Sequence, residues 1–195
     1  MHRICVFSGS SSGVRPEYRA AAVALGKELV ARNLGLVYGG ASVGLMGAIA
    51  DAVLAEGGEV IGIIPHSLYQ REIAHKNLTA LHEVESMHER KALMADLSDG
   101  FIALPGGYGT FDELFEVTTW SQLHLHAKPV GLLNVANYFA PLLALVQHAA
   151  QEGFIQPKYT HLLLSNENPT ELLDALTTYT PPHDQFTWTD QPPER

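Results

Sequence analysis

Gly100-Phe101-Ile102-Ala103-Leu104-Pro105-Gly106-Gly107-Tyr108-Gly109-Thr110-Phe111-Asp112-Glu113 is the stretch on which the reading of the fold rests. The apolar run Gly100–Leu104 predicts a strand buried on both faces, because no polar residue alternates within it. Pro105–Gly109 is a tight turn, and a helical pattern follows from Phe111 to about Leu125. Strand, glycine-rich turn and helix in that order form half of a βαβ unit. The same succession continues in both directions. Toward the N-terminus, Ile4–Ser8 reads as a strand and Ser8–Gly13 as a small-residue loop. A helix opened by Pro16 then carries Tyr18, Ala22, Leu25, Leu29 and Val30 at helical spacing, and Asn33 and Gly35 end it. Gly35–Tyr38 is a second strand, Gly39–Gly47 a glycine-rich loop into a helix over Leu45–Ala55, and Glu59–Ile64 a third strand stopped by Pro65. Residues 66–80 read as a polar excursion over the sheet's C-terminal edge, before a short strand at Leu81–Val84 and a helix from about Ser86 to Leu97. Toward the C-terminus come a strand at Pro129–Leu133, a helix at Tyr138–Gln151, a strand at His161–Ser165 and a helix near Thr170–Leu176.

The fold class is therefore α/β: a single doubly wound, Rossmann-like domain over residues 1–179, with a mainly parallel sheet flanked by helices. Thr180–Arg195 reads as a Pro-rich C-terminal tail. Composition agrees, with 195 residues, 46% hydrophobic and 17% charged, and a mean hydropathy of +0.03. Twelve Lys and Arg against 21 Asp and Glu give a net charge of −9. No basic run interrupts that acidity, so neither nucleic acid nor an anionic membrane is an expected partner. The lone Cys5 excludes an intramolecular disulfide framework. Ile4–Phe7 is too short an apolar stretch for a secretion signal, and no run approaches the ~20 residues of a membrane span. The expected location is the cytoplasm.

In doubly wound sheets ligands bind beyond the C-terminal strand ends. Three loops fall there: Ser8–Gly13, Gly39–Gly47 and Pro105–Thr110. Such turns let backbone amides approach a phosphate at a helix N-terminus. None has the dinucleotide or P-loop spacing, which disfavours NAD and ATP chemistry. Spacing alone favours Thr110 as a helix N-cap, with Glu113 reaching back to its amide. The functional alternative places Glu113 in the first turn of a helix that faces the ligand, where its carboxylate stabilises a developing oxocarbenium ion or orients a water. Met87-His88-Glu89-Arg90-Lys91 sets two cations together in a chain poor in them, and the Arg90 fork suits hydroxyls, carboxylate or phosphate. Glu72 reads locally as a loop carboxylate. The ten histidines lack metal-site spacing and are expected at the surface or an interface, His124 and His126 included. Phe115, Val117 and Trp120 read as helix-packing residues, and Tyr108, set among glycines, as lying over a ligand.

Taken jointly, Pro105–Glu113 preceded by Met87–Lys91 strongly resembles the LOG ("lonely guy") family of cytokinin riboside 5′-monophosphate phosphoribohydrolases. Ser8–Ser11, Tyr38–Gly40, Gly44–Gly47 and Glu72–His75 match as well, so the resemblance spans roughly residues 3–178. It implies hydrolysis of the N-glycosidic bond of an N6-substituted adenosine 5′-monophosphate, with no metal or organic cofactor, by a homodimer. It implies Arg90 and Glu113 as the catalytic pair. Glu72, Arg90, Lys91, Gly106, Gly107, Tyr108, Gly109, Thr110, Phe111, Asp112, Glu113 and Thr119 would contact the substrate. Residues 66–80 with Met87 and Trp120 are the expected slot for an N6 substituent. Two rivals stand beside this reading. A decarboxylase would need pyridoxal phosphate on a lysine, for which only Lys91 is placed. A carrier of the molybdenum cofactor would hold a phosphorylated pterin without turnover.

Overall fold

The computed structural model describes residues 1–69 and 74–182. Most of the tail expected over Thr180–Arg195 therefore lies outside the described residues. The strands are β1 (Arg3–Phe7), β2 (Gly35–Tyr38), β3 (Val60–Pro65), β4 (Ala80–Val84), β5 (Gly100–Ala103), β6 (Val130–Leu133) and β7 (Leu163–Asn166). Helices α1 (Pro16–Ala31), α2 (Gly44–Ala55), α3 (His66–Tyr69), α4 (Met87–Asp96), α5 (Tyr108–Gln122), α6 (Ala140–Gln151) and α7 (Pro169–Thr177) connect or follow them. Among the described residues the strands form one sheet in the order β4-β3-β2-β1-β5-β6-β7, and every pairing is parallel.

Alternation along β1 shows how both faces are covered. Ile4 and Val6 point into one core with Leu25 and Leu29 of α1, Ile49 and Val53 of α2, and Leu172 and Leu176 of α7. Cys5 and Phe7 point into the other, with Met94 of α4, Leu114 and Val117 of α5, and Val146 of α6. A period of two with apolar residues at both parities is what a sheet buried on two sides requires. The chain winds outward from β1 to β4, then returns to set β5 against β1, so the topological switch point lies between those two strands. Phe7 is in register with Ala103 there, which brings the loops after β1 and β5 side by side.

His66–Tyr69, read as part of the polar excursion, is a short helix, and several boundaries differ from the sequence reading. Helix α5 starts at Tyr108, because Gly107, in an extended conformation, is the N-cap and no side chain caps it. Its first-turn amides need no intrahelical partner, so the glycines there do not delay the helix. Helix α6 starts at Ala140, after a short 3-10 turn at Val135–Asn137. A second 3-10 segment, Pro157–Leu162, takes the place of the first residues expected in β7. Phe115 was expected to pack and is instead exposed, while Trp120 packs against the second core.

Helices α1 and α2 approach closely at Gly26, where an added Cβ would lie 3.0 Å from Ala52 Cβ and 3.1 Å from the Ile49 carbonyl. Gly26→Leu is expected to lower the unfolding free energy by about 1–3 kcal/mol through overpacking, despite its better helix propensity, as read by urea titration.

Candidate active site

The loop after β1 is held on both sides. Gly9 N–H donates to the Pro105 carbonyl (3.0 Å), and Leu45 N–H, in the first turn of α2, donates to the Gly9 carbonyl (3.0 Å). Tyr138 donates its hydroxyl to the Gly106 carbonyl from the far side. These bonds set the β1, β2 and β5 loops around a cleft of about 360 Å³ that includes Ser8, Gly39, Arg90, Thr110 and Glu113. Gly107 and Gly109 also line it, and an added Cβ on either would meet nothing within 4 Å. Internal packing therefore does not demand glycine at these positions; they leave the backbone open to close approach from the cleft.

Helix α4 delivers Arg90. Ser86 is its N-cap, accepting from Glu89 N–H (3.1 Å), and the Glu89 carboxylate accepts from Glu85 N–H (2.8 Å). This reciprocal cap fixes the helix start and turns Arg90 inward. The guanidinium is buried. Its Nε donates to the Ile63 carbonyl (3.2 Å), and Nη1 pairs with Glu113 Oε1 at 3.0 Å. Gly39 makes room for the group, since a Cβ there would lie 2.0 Å from Arg90 Nη2.

Glu113 is buried as well, at 6% exposure. The capping box expected at Thr110 and Glu113 does not form. Thr110 is the third residue of α5, its Oγ1 beside Gly106, and Glu113 points to Arg90 instead. Burial pushes the Glu113 carboxyl up from its ordinary 4.5, the Arg90 guanidinium opposes that rise, and the Asp112 charge reinforces it. Burial likewise pushes the nearby Cys5 thiol well up, with the Glu113 charge adding to it, so Cys5 is no nucleophile.

The remaining candidates are distributed unevenly. Lys91 Nζ turns to α5, 3.0 Å from Asp112 Oδ2 and 3.1 Å from Glu116 Oε2. A second ion-pair contact thus clamps α4 to α5 beside the first. Tyr108 stands at the cleft rim, 92% exposed, and Phe111 packs against the second core. Thr119 is exposed on α5 and is not among the residues lining the cleft. Glu72 lies outside the described residues. Of the expected N6 slot, Leu68 lines the cleft together with Met46 and Ile64, which the sequence reading had not singled out. The excursion is pinned by His75, whose N–H donates to the Gly40 carbonyl (2.9 Å). Its Nδ1 accepts from Asn77 N–H, so Nε2 carries the proton and donates to Asp51 Oδ1 at 3.0 Å.

Among the described residues no group of three or more His, Cys, Asp and Glu is placed to hold a metal ion. His126, expected at the surface or an interface, is half-buried against Phe101 and donates from Nε2 to the Val117 carbonyl (3.0 Å), its Nδ1 accepting from Lys128 N–H.

Comparison with known proteins adds a family. A profile described as "Possible lysine decarboxylase" matches residues 46–176. The chain is 56% identical to the "Probable cytokinin riboside 5′-monophosphate phosphoribohydrolase LOGL9" of Oryza sativa subsp. japonica, over 92% of this chain and 79% of that protein. It is 52% identical to the "Cytokinin riboside 5′-monophosphate phosphoribohydrolase LOG1" of Arabidopsis thaliana, over 94% of this chain and 86% of that protein. Among solved structures, the molybdenum cofactor carrier protein of Chlamydomonas reinhardtii superposes with a TM-score of 0.68 at 19% identity, covering 90% of this chain and 96% of that one. That last likeness establishes a shared fold and nothing more.

Two outcomes are expected from this geometry. Gly39→Ala should fold yet push the guanidinium away, so that a crystal structure of the variant shows Arg90 Nη1 and Glu113 Oε1 separated beyond about 4 Å. The second concerns pH. A carboxyl held above its unfolded value favours folding at low pH and loses that contribution as pH rises from about 4.5 through its folded value. Arg90→Met removes the main influence opposing the rise in Glu113. Its stability deficit in urea titrations should be small at about pH 4 and widen by about pH 8, toward the ~3–5 kcal/mol of a half-broken buried pair.

Proposed function

The chain belongs to the LOG family, and from that premise we propose that it hydrolyses the N-glycosidic bond of N6-substituted adenosine 5′-monophosphates, releasing free base and ribose 5-phosphate. The observation that carries the reading is the buried Arg90–Glu113 pair, 3.0 Å apart, in a cleft at the switch point of the sheet. Breaking a ribosyl–purine bond builds positive charge on the anomeric carbon and negative charge on the departing base. Glu113, whose charged form the guanidinium partner favours against the pull of burial, stabilises the first of these, holds ribose hydroxyls and supports the attacking water. Arg90 keeps that carboxylate oriented, and its own rigidity comes from the Ile63 carbonyl and the floor at Gly39.

The 5′-phosphate sits at the start of α5. The first bond inside that helix runs from Phe111 N–H to the Gly107 carbonyl, which leaves the amides of Tyr108, Gly109 and Thr110 unclaimed by it. No side chain caps this end and no acidic residue stands in its first turn, so its positive end is available to an anion. Phosphate binding there supplies remote binding energy that positions the scissile bond. Met46, Ile64 and Leu68 provide the apolar wall for an N6 substituent, and plain AMP satisfies the same phosphate and ribose contacts. Lys91 and Asp112, paired with each other, act on the site by holding α4 to α5.

Lysine decarboxylation finds no support in the side chains. A Schiff-base lysine must be an uncharged amine, whereas Lys91 is clamped by two carboxylates. Carriage of a phosphorylated ligand without turnover would not require a buried carboxylate beside an anion. We further read the protein as a cytoplasmic homodimer. Its single cysteine is buried and unpaired, and the exposed side chains of Leu125, Leu145 and Phe154 offer apolar surface for a second copy.

Incubation with AMP and with N6-isopentenyl-AMP, followed by chromatography, should yield free base plus ribose 5-phosphate. Glu113→Gln should lower turnover by ~100-fold or more while remaining folded. Parental turnover in a folded Glu113→Gln protein, or a tightly retained pterin with no nucleotide hydrolysis, would overturn the reading.

A further inference from the structure

One polar group in the cleft is used neither by the fold nor by the chemistry above. Ser8 follows directly on β1 at the switch point and is 7% exposed. Its Oγ is fully shielded and has no hydrogen-bond partner. By contrast, Ser98 Oγ donates to the Met94 carbonyl (2.8 Å) and Ser86 Oγ accepts from Glu89 N–H (3.1 Å). An unpaired buried hydroxyl costs stability that an alanine would not, so its presence calls for a partner outside the fold.

The backbone around Ser8 is rigid. Leu104 N–H donates to the Phe7 carbonyl on one side (2.9 Å), and Gly9 N–H donates to the Pro105 carbonyl on the other (3.0 Å). Ser8 thus stands on a fixed frame among the residues that line the cleft of Arg90 and Glu113, and a change of its χ1 rotamer is the one motion that would carry the shielded hydroxyl to a ligand there. The uncapped amides of α5 already suit a phosphate, which only accepts hydrogen bonds. The apolar wall of Met46, Ile64 and Leu68 suits the base. A serine hydroxyl both donates and accepts, and the remaining part of a nucleotide that does the same is its sugar.

We propose that Ser8 Oγ hydrogen-bonds a ribose hydroxyl of the substrate and orients the sugar against Glu113. The proposal rests on the nucleotide-hydrolase reading and assigns the sugar contact within it. Ser8 makes the sugar's orientation, and with it the placement of the anomeric carbon, a property of the β1 exit.

The test compares the parent with Ser8→Ala on AMP, 2′-deoxy-AMP and 3′-deoxy-AMP, together with binding of ribose 5-phosphate by calorimetry. Removing an unpaired hydroxyl should leave the urea midpoint unchanged or raised. On AMP, Ser8→Ala should lose ~10-fold in kcat/KM, the worth of one hydrogen bond. On one of the two deoxy nucleotides the substitution should cost almost nothing, because the bond is already absent. Comparing variant with parent on each substrate cancels the intrinsic reactivity of the deoxy sugars. Parental kcat/KM on AMP would overturn the proposal. So would an equal loss on all three nucleotides, which would send the hydroxyl to the phosphate, or a lowered urea midpoint, which would make it a fold residue. If the parent leaves every nucleotide intact, the hydrolase reading fails instead. Ribose 5-phosphate affinity then decides the Ser8 contact separately: ~10-fold weaker binding in Ser8→Ala supports it, and equal binding overturns it.

Discussion

A guanidinium and a carboxylate buried together constrain the rest of this structure. Neither Arg90 nor Glu113 could be withdrawn from water alone at tolerable cost, and together they are stable only in a narrow geometry. Their surroundings supply that geometry. The Ile63 carbonyl accepts from Nε, and Gly39 leaves space for Nη2. The cap at Ser86 and Glu89 sets the start of α4, and the Lys91 contacts hold α5 alongside. These groups come from four separate parts of the chain: the exit of β2, the strand β3, the start of α4 and helix α5.

The parallel sheet makes such convergence possible. Because every strand runs the same way, every exit loop falls on one edge, and the reversal between β1 and β5 opens a crevice there. Hydrogen bonds from Gly9 to Pro105 and from Leu45 to Gly9 draw three of those loops together. The two cores beneath are clamped by helices on both faces, so the floor of the cleft is as rigid as the domain itself. Burial then acts on the chemistry, lifting the Glu113 carboxyl while Arg90 restrains it. A preorganised charge in a site partly closed to water is worth more than the same charge at a surface.

The shared fold with molybdenum cofactor carriers, at 19% identity, shows how little the architecture alone decides. A sheet edge with glycine-rich exits can hold many phosphorylated ligands. What separates binding from a proposed hydrolysis here is a pair of side chains, not the scaffold.

Much of this was legible in the residues. Apolar runs buried on both faces, glycine turns and helical periodicity are local signals, and they predict the order of strands and helices and the parallel sheet. The joint motif at Met87–Lys91 and Pro105–Glu113 marks the family for the same reason, since its parts lie within short stretches. Other features were not legible, because they depend on which distant segments become neighbours. Spacing at Thr110 and Glu113 favoured a cap. The start of α5 at Tyr108 and the arrival of Arg90 from α4 turned Glu113 elsewhere. Nothing near Lys91 in the chain indicates that it answers to Asp112 and Glu116, nor does Gly39 reveal a guanidinium above it. The sequence by itself determined the order of the strands and of the longer helices, the two-sided core and the family. Only the tertiary structure decided which charges pair, which glycine is needed and which hydroxyl is left without a partner, because burial and neighbourhood are properties of the packed chain.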